Sequence, residues 1–263
     1  MDKSFETKTS PQTIAGPFST DDRVRRGPSG SSGPGTRWEL NLLGCWMLTA
    51  DGQPALTGVR QQRLITTLAI GGDRSRSALA SLLWPQTRSA LALANLRAAV
   101  FRVGGDQPGL VESHGTMLGL SASVETDLAR VRGLIHEVKQ GVRVPTSREI
   151  DALLRADLLL GWYEDWVLFE QDRLLQDRVA ALECAAEHCL KIGDLDRAIV
   201  AAEGAAALEP LREAPHRTIV RAHLAAGRRQ EAARRARHFE ATIRAQLGTA
   251  PGPRFTNLLN AGP

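Results

Sequence analysis

Two ten-residue stretches, LKIGDLDRAI at 190–199 and LAAGRRQEAA at 224–233, restrict the fold of this 263-residue chain more than any other feature. Leu190 and Leu224, Gly193 and Gly227, and Ala198 and Ala232 each stand 34 residues apart. A small residue at a fixed distance from a turn glycine is what two antiparallel helices need where their backbones touch. The period therefore predicts stacked helical hairpins. Each hairpin buries against its neighbour an apolar face that it cannot bury alone. Pro210 stands after the first unit and Pro251 after the second.

Thirty-four residues is the tetratricopeptide period, and helical patterning extends upstream from it to Thr126. VETDLARVRGLIHEVKQG predicts a helix capped by Thr126 or Asp127 and ended at Gly141. A looser segment runs through Pro145, and residues 151–209 then read as almost wholly helical. In GWYEDWVLFE, Trp162, Trp166 and Phe169 suit the packing that seats the first repeat helices. Cys184 and Cys189 fall on one helix as core residues, and three cysteines in all give no disulfide framework, as in a reducing cytoplasm. Cys184 and His188 have the i, i+4 spacing of one zinc edge. Structural zinc needs four ligands and no second pair occurs at standard spacing, so no metal is expected. RRQEAARRARHFEATIR, with six arginines against two glutamates, reads as the solvated face of a repeat helix.

The other half differs. Residues 1–36 are crowded with Gly, Pro and Ser and lack an apolar period, which predicts a disordered tail. Its Asp2, Lys3, Glu6 and Lys8 without an apolar stretch argue against a secretory signal, and no apolar run approaches a membrane span. From Trp38, the apolar residues Trp38, Leu40, Leu42, Trp46 and Leu48 alternate as in a strand with one buried face, and Asp51-Gly52 predicts a hairpin. VRQQRLITTLAIGG and DRSRSALASLLWP predict two helices, the second capped by Ser75 or Ser77 and stopped by Pro85. RSALALANLRAAVFRV predicts a third over 88–103, and GLVESHGTMLGLSA a hairpin turning at His114-Gly115. Sheet, three helices and hairpin within about 90 residues is the layout of a winged helix, whose third helix enters the DNA major groove.

Charge is concentrated there. Residues 59–103 hold seven arginines and one aspartate, a net +6 on a chain of +4, so the remainder sums to −2. Within the third helix Leu93, Leu96, Val100 and Val103 cluster within about 80° and are expected to face inward. Arg88, Asn95 and Arg102, spaced by seven, form a polar line beside Leu91, Ala94 and Ala98. Asn can pair bidentately with adenine, Ala or Leu can touch a thymine methyl, and Arg near a helix end meets phosphate or guanine. The same face also fits packing against another domain, with Leu91 and Phe101 buried there. The position between a supporting helix and a hairpin favours DNA.

The stretches ELNLLGCWML, RQQRLITTLAI, LASLLWPQTRSALALANLRAAVFRV, GWYEDWVLFEQDRL and the segment from Leu208 to Pro253 together resemble the Streptomyces antibiotic regulatory protein type of bacterial transcription factor. The resemblance covers about residues 37–260. It implies a mainly α fold with a small β component. An N-terminal winged helix-turn-helix at 37–125 would precede an all-α, tetratricopeptide-like bacterial transcriptional activator domain at 126–260. It implies a DNA-binding transcriptional activator that binds promoter repeats through helix 88–103, as a homodimer on DNA, and recruits RNA polymerase by its sigma or alpha subunit. By position, Arg63 would support a backbone contact, 88–102 would be the recognition helix, and His114 to Met117 the wing tip. The DNA-facing set is then Arg63, Arg74, Arg76, Arg88, Leu91, Asn95, Arg97, Arg102, His114 and Thr116. Gln61-Gln62-Arg63 replaces the family's frequent Lys-Gln-Arg, and the wing tip ESHGTM carries no Arg or Lys. No nucleotide-binding G-x-x-x-x-G-K-[ST], no G-x-S-x-G and no H-E-x-x-H occurs, so neither enzyme activity nor a cofactor is expected. The location implied is the cytoplasm, at the nucleoid. The other reading is a repeat-type adaptor that holds a protein partner, with a winged helix that does not read DNA on its own.

Overall fold

The structure, a computed structural model, describes residues 36–258. The tail expected at 1–36 therefore lies outside the described residues, apart from Thr36. The chain starts with β1 (Trp38–Asn41), β2 (Met47–Ala50) and β3 (Gln53–Pro54). The alternating apolar run is thus two strands, broken where Gly44 takes φ +80° and reverses the chain. β1 pairs antiparallel with β2, and Asp51-Gly52 turns β2 into β3 as expected.

Helix α1 (Val59–Gly71) leads through β4 (Arg74–Ser75) to α2 (Arg76–Leu83). The Ser75 hydroxyl accepts from Ala78 N–H, the N-cap that fixes where α2 begins. Pro85 follows one residue after the Trp84 cap and prevents continuation. Helix α3 (Ser89–Asp106) precedes the hairpin β5 (Val111–His114) and β6 (Met117–Leu120), and β4 adds to it in the order β4-β6-β5. Leu64, Ile65, Leu68, Leu79, Leu83, Leu96 and Val103 close the three-helix core. Strand β7 (Glu125–Thr126) then returns to the first sheet, parallel to β1.

From here the chain is helical: α4 (Asp127–Lys139), α5 (Ser147–Leu154), α6 (Asp165–Lys191), α7 (Leu195–Leu208), α8 (Glu213–Ala225), α9 (Arg229–Leu247) and a short α10 (Pro253–Thr256). The fold is mainly α with a small β component, a winged helix followed by helical repeats. Gly193 and Gly227 end α6 and α8 with φ +81° and +71°, the left-handed turn that a residue with a Cβ would adopt only under strain. Ala198 and Ala232, at the matched positions after each turn, are fully buried. Phe255 of α10 packs at 4.9 Å on Phe239, closing the α8–α9 end of the stack. No helix among the described residues is long and apolar enough to cross a membrane.

Three expectations are corrected. Residues 155–164 are not helical; they form an irregular strap whose backbone bonds to the N-terminal sheet, with Gly44 N–H donating to Asp157 O at 2.6 Å and Leu159 N–H to Leu42 O at 2.8 Å. Phe169 and Cys184 are exposed, because each occupies the outer side of α6 while Val167, Ala185 and Cys189 take the inner one. Trp162 and Trp166 do pack on the core, partly buried. The described residues form one compact unit.

Helix α5 opens with a capping box in which the Thr146 hydroxyl accepts from Glu149 N–H and the Glu149 carboxylate accepts from Thr146 N–H. The Arg143 guanidinium, then Thr146, hold the Glu149 carboxyl at about 2, below its ordinary 4.5. A depressed carboxyl stabilises the fold above its unfolded value, so this contribution fades as pH falls from about 4.5 towards about 2. Glu149→Gln should lower stability at neutral pH and flatten this part of the acid limb in urea titrations. An unchanged slope between those values would count against it.

Candidate nucleic-acid interface

Helix α3 buries Ala92, Leu96, Ala99 and Val103, whereas Leu93 and Val100 are only half-buried. The inward face is therefore turned towards the polar line from the one the leucines alone suggested. Alanines at 92 and 99 are the cause: short side chains let α2 approach closely, and Ala80 of α2 is buried with Ala92. Arg88, at the N-cap, and Arg102 remain exposed at about 21 Å along the axis, and Asn95 lies half-buried between them. Arg97 is exposed on the opposite flank. Arg88, Arg97 and Arg102 form no ion pair with any described residue, so three guanidiniums stand open on one helix.

The wing lies beside α3. Arg76, the first residue of α2, donates from its guanidinium to Ser113 Oγ at 2.9 Å, and its N–H donates to Thr116 O at 3.1 Å. These bonds fix the start of α2 to one arm of the hairpin and to its turn. His114, Gly115 and Thr116 are exposed at the tip, where Gly115 turns with φ +63°. His114 Nε2 lies 3.4 Å from Glu112, so the tip carries a carboxylate as well as an imidazole. Arg74 is half-buried and folded over Gly71, where an added Cβ would come within 2.8 Å of the guanidinium carbon.

Arg63 stands apart from this group. Its Nε is 3.1 Å from Glu164 Oε1, an ion pair between α1 and the residue just before α6. Of the ten residues the sequence suggested, Arg88 caps α3 and Leu91, Asn95, Arg97 and Arg102 lie on it, and Arg76, His114 and Thr116 meet at the wing. Phe101, which the sequence placed on this face only as a packing residue, is absent from the DNA-facing set. It is 83% exposed, although the seven-residue spacing that linked the polar line links it equally to Ala94.

Among the described residues, no group of three or more His, Cys, Asp or Glu is placed to hold a metal ion. The repeat half presents a cleft of about 630 Å³ between α4, α6 and α8. Lys139, Lys191, Arg217 and Arg221 line it with Glu183 and Glu187. Glu187 accepts from Thr218 Oγ1 at 2.7 Å and from Arg221 at 2.8 Å; burial opposes its charge, and those two bonds outweigh it to hold the carboxyl below its usual range.

A winged helix joined to tetratricopeptide-like helices defines a class, the Streptomyces antibiotic regulatory protein-like regulators. Residues 126–261 match the family described as bacterial transcriptional activator domain. That is more than half of the chain, which therefore belongs to this family. Among solved structures the chain is similar to Mycobacterium tuberculosis EmbR in complex with a low-affinity phosphopeptide, with a TM-score of 0.66 and 23% sequence identity. The similarity covers 86% of this chain and 65% of EmbR, so the chain spans about two thirds of that protein's length. No curated protein matches the sequence.

Proposed function

We propose that the chain is a DNA-binding transcriptional activator in which α3 reads double-stranded promoter DNA. The observation that carries this is the line of exposed Arg88 and Arg102 with half-buried Asn95 between them, with no ion-pair partners for the arginines among the described residues. Arg97 flanks it and the wing adjoins it. The net +6 over 59–103 supplies the attraction to phosphate. Asn95 is the candidate reader of adenine, Arg88 of guanine or phosphate, and Arg102 of phosphate. Arg76, Arg97, His114 and Thr116 border the same surface, and Arg74 lies behind it. Arg63, committed to Glu164, acts by holding α1 against the strap.

Two domains at 37–125 and 126–260 fit this division of labour, the second presenting its cleft to RNA polymerase through the sigma or alpha subunit. Binding to promoter repeats would place two copies side by side in the cytoplasm, at the nucleoid. Arg88→Ala or Asn95→Ala should weaken binding to the chain's own promoter by about tenfold or more. Arg102→Ala should weaken all sequences alike and reduce the salt slope by about one. Fluorescence anisotropy across a salt series measures both. Three variants that bind as the parent does would remove α3 from the groove.

The charged cleft between α4, α6 and α8 favours one second reading, an adaptor whose repeats hold a protein partner. A defined promoter footprint from the purified chain alone would rule against it.

A further inference from the structure

The outermost face of α3 is apolar. Phe101 is 83% exposed and Leu91 58%, Ala90 and Ala98 are exposed, and Ala94 is half-buried. These five positions fall within about 100° of the helix circumference. Arg97 borders the arc on one side; Arg102, Asn95 and Arg88 border it on the other. An apolar ridge with guanidiniums along both flanks matches a surface that is anionic at its two rims and apolar between them. The major groove has this pattern: two phosphate rows wall it, and the thymine C5-methyl is the apolar group on its floor.

We propose that the ridge formed by Leu91, Ala98 and Phe101 reads thymine methyl groups, with Phe101 setting specificity at one end of the contact and Leu91 at the other. This rests on the assignment of α3 to the groove. Leu91 and Phe101 are about 15 Å apart along the axis. At about 3.4 Å per base step, two thymines some four steps apart fall beneath them. A protein surface as the occupant would need acidic groups along both edges of an apolar strip, one set for Arg97 and the other for Arg88 and Arg102. The phosphate rims satisfy both at once.

The test begins with selection of the preferred duplex from a random library by the full chain. Each thymine is then replaced in turn by deoxyuridine, which removes the methyl and keeps every hydrogen-bonding group. Affinity should fall about fourfold for each methyl that the ridge buries, at two positions three to five steps apart. Phe101→Ala should abolish that sensitivity at one position and Leu91→Ala at the other. Asn95→Ala should leave both in place. Both ridge side chains are largely exposed, so the variants should melt with the parent, which calorimetry confirms before binding is compared. A selected duplex that tolerates deoxyuridine everywhere overturns the inference while DNA binding stands, as does a Phe101→Ala chain with the parent's pattern. Failure of the parent chain to enrich any duplex overturns the DNA reading itself.

Discussion

Arg178→Ala is expected to destabilise the chain by about 3–4 kcal/mol. Arg178 is 2% exposed, in the middle of α6. Its Nε donates to Leu153 O at 2.6 Å, and one terminal nitrogen donates to Leu154 O at 2.6 Å. The other donates to Asp157 Oδ1 at 2.7 Å. Leu153 and Leu154 end α5, so a guanidinium from another helix satisfies carbonyls that the helix itself leaves open. Its charge also lies at the negative end of the α5 dipole. The Asp157 side chain is 54% exposed, so water screens the ion pair and the carbonyl bonds supply most of the effect.

Removing the fork leaves those carbonyls in the interior with no donor, and it leaves a cavity where the stem had packed. Arg178→Lys should recover little, because one ammonium cannot meet two carbonyls and a carboxylate in the same plane. Arg178→Met keeps most of the volume and isolates the polar share. Urea denaturation followed by circular dichroism gives the free energies. A loss below about 1 kcal/mol for Arg178→Ala would mean that the strap closes without the guanidinium.

This arginine also marks where sequence reasoning stops. The repeat half was legible because Gly193, Gly227, Ala198 and Ala232 obey a period imposed by a local requirement, close helix contact beside a turn. The winged helix was legible for the same kind of reason: the Ser75 cap, the Pro85 stop and the wing turn, which falls at Gly115-Thr116, one residue later than expected, act within a few residues of themselves. Arg178 reads from the sequence as one more charge on an amphipathic helix. Its three acceptors lie 21 to 25 positions upstream, in a stretch whose periodicity resembled a helix. The inward face of α3 was misplaced for a related reason. Hydrophobicity ranks leucine above alanine, whereas the contact with α2 selects for small size. At the interface, the spacing of Arg88, Asn95 and Arg102 was visible. The attachment of Arg63 to Glu164, about a hundred residues away, carries no pattern that a sequence displays.

Asp127→Ala should produce the second large effect, about 3 kcal/mol, and should act on the attachment between the two halves. The Asp127 carboxylate sits in the first turn of α4, where its charge suits the positive end of the helix dipole. One oxygen accepts from Leu128 N–H at 2.7 Å and from Leu42 N–H at 2.8 Å, and the other accepts from Leu43 N–H at 3.0 Å. Two of these donors belong to the chain leaving β1, 84 and 85 positions away. Beside them β7 pairs with β1, and the 155–164 strap bonds to Leu42 and Gly44. The carboxylate thus binds the N-terminal sheet to the first helix of the repeats at a point where the backbone ladder is only two residue pairs long. Alanine leaves three N–H groups without an acceptor. Asparagine keeps one acceptor oxygen and should fall between alanine and the parent. Hydrogen exchange resolves where the loss lands: residues 38–50 and 155–164 should exchange faster in Asp127→Ala, while α7 to α9, whose contacts are local to the stack, keep their protection. If protection fell uniformly instead, the carboxylate would be supporting the whole core. The winged helix and the repeats would then have no separable seam.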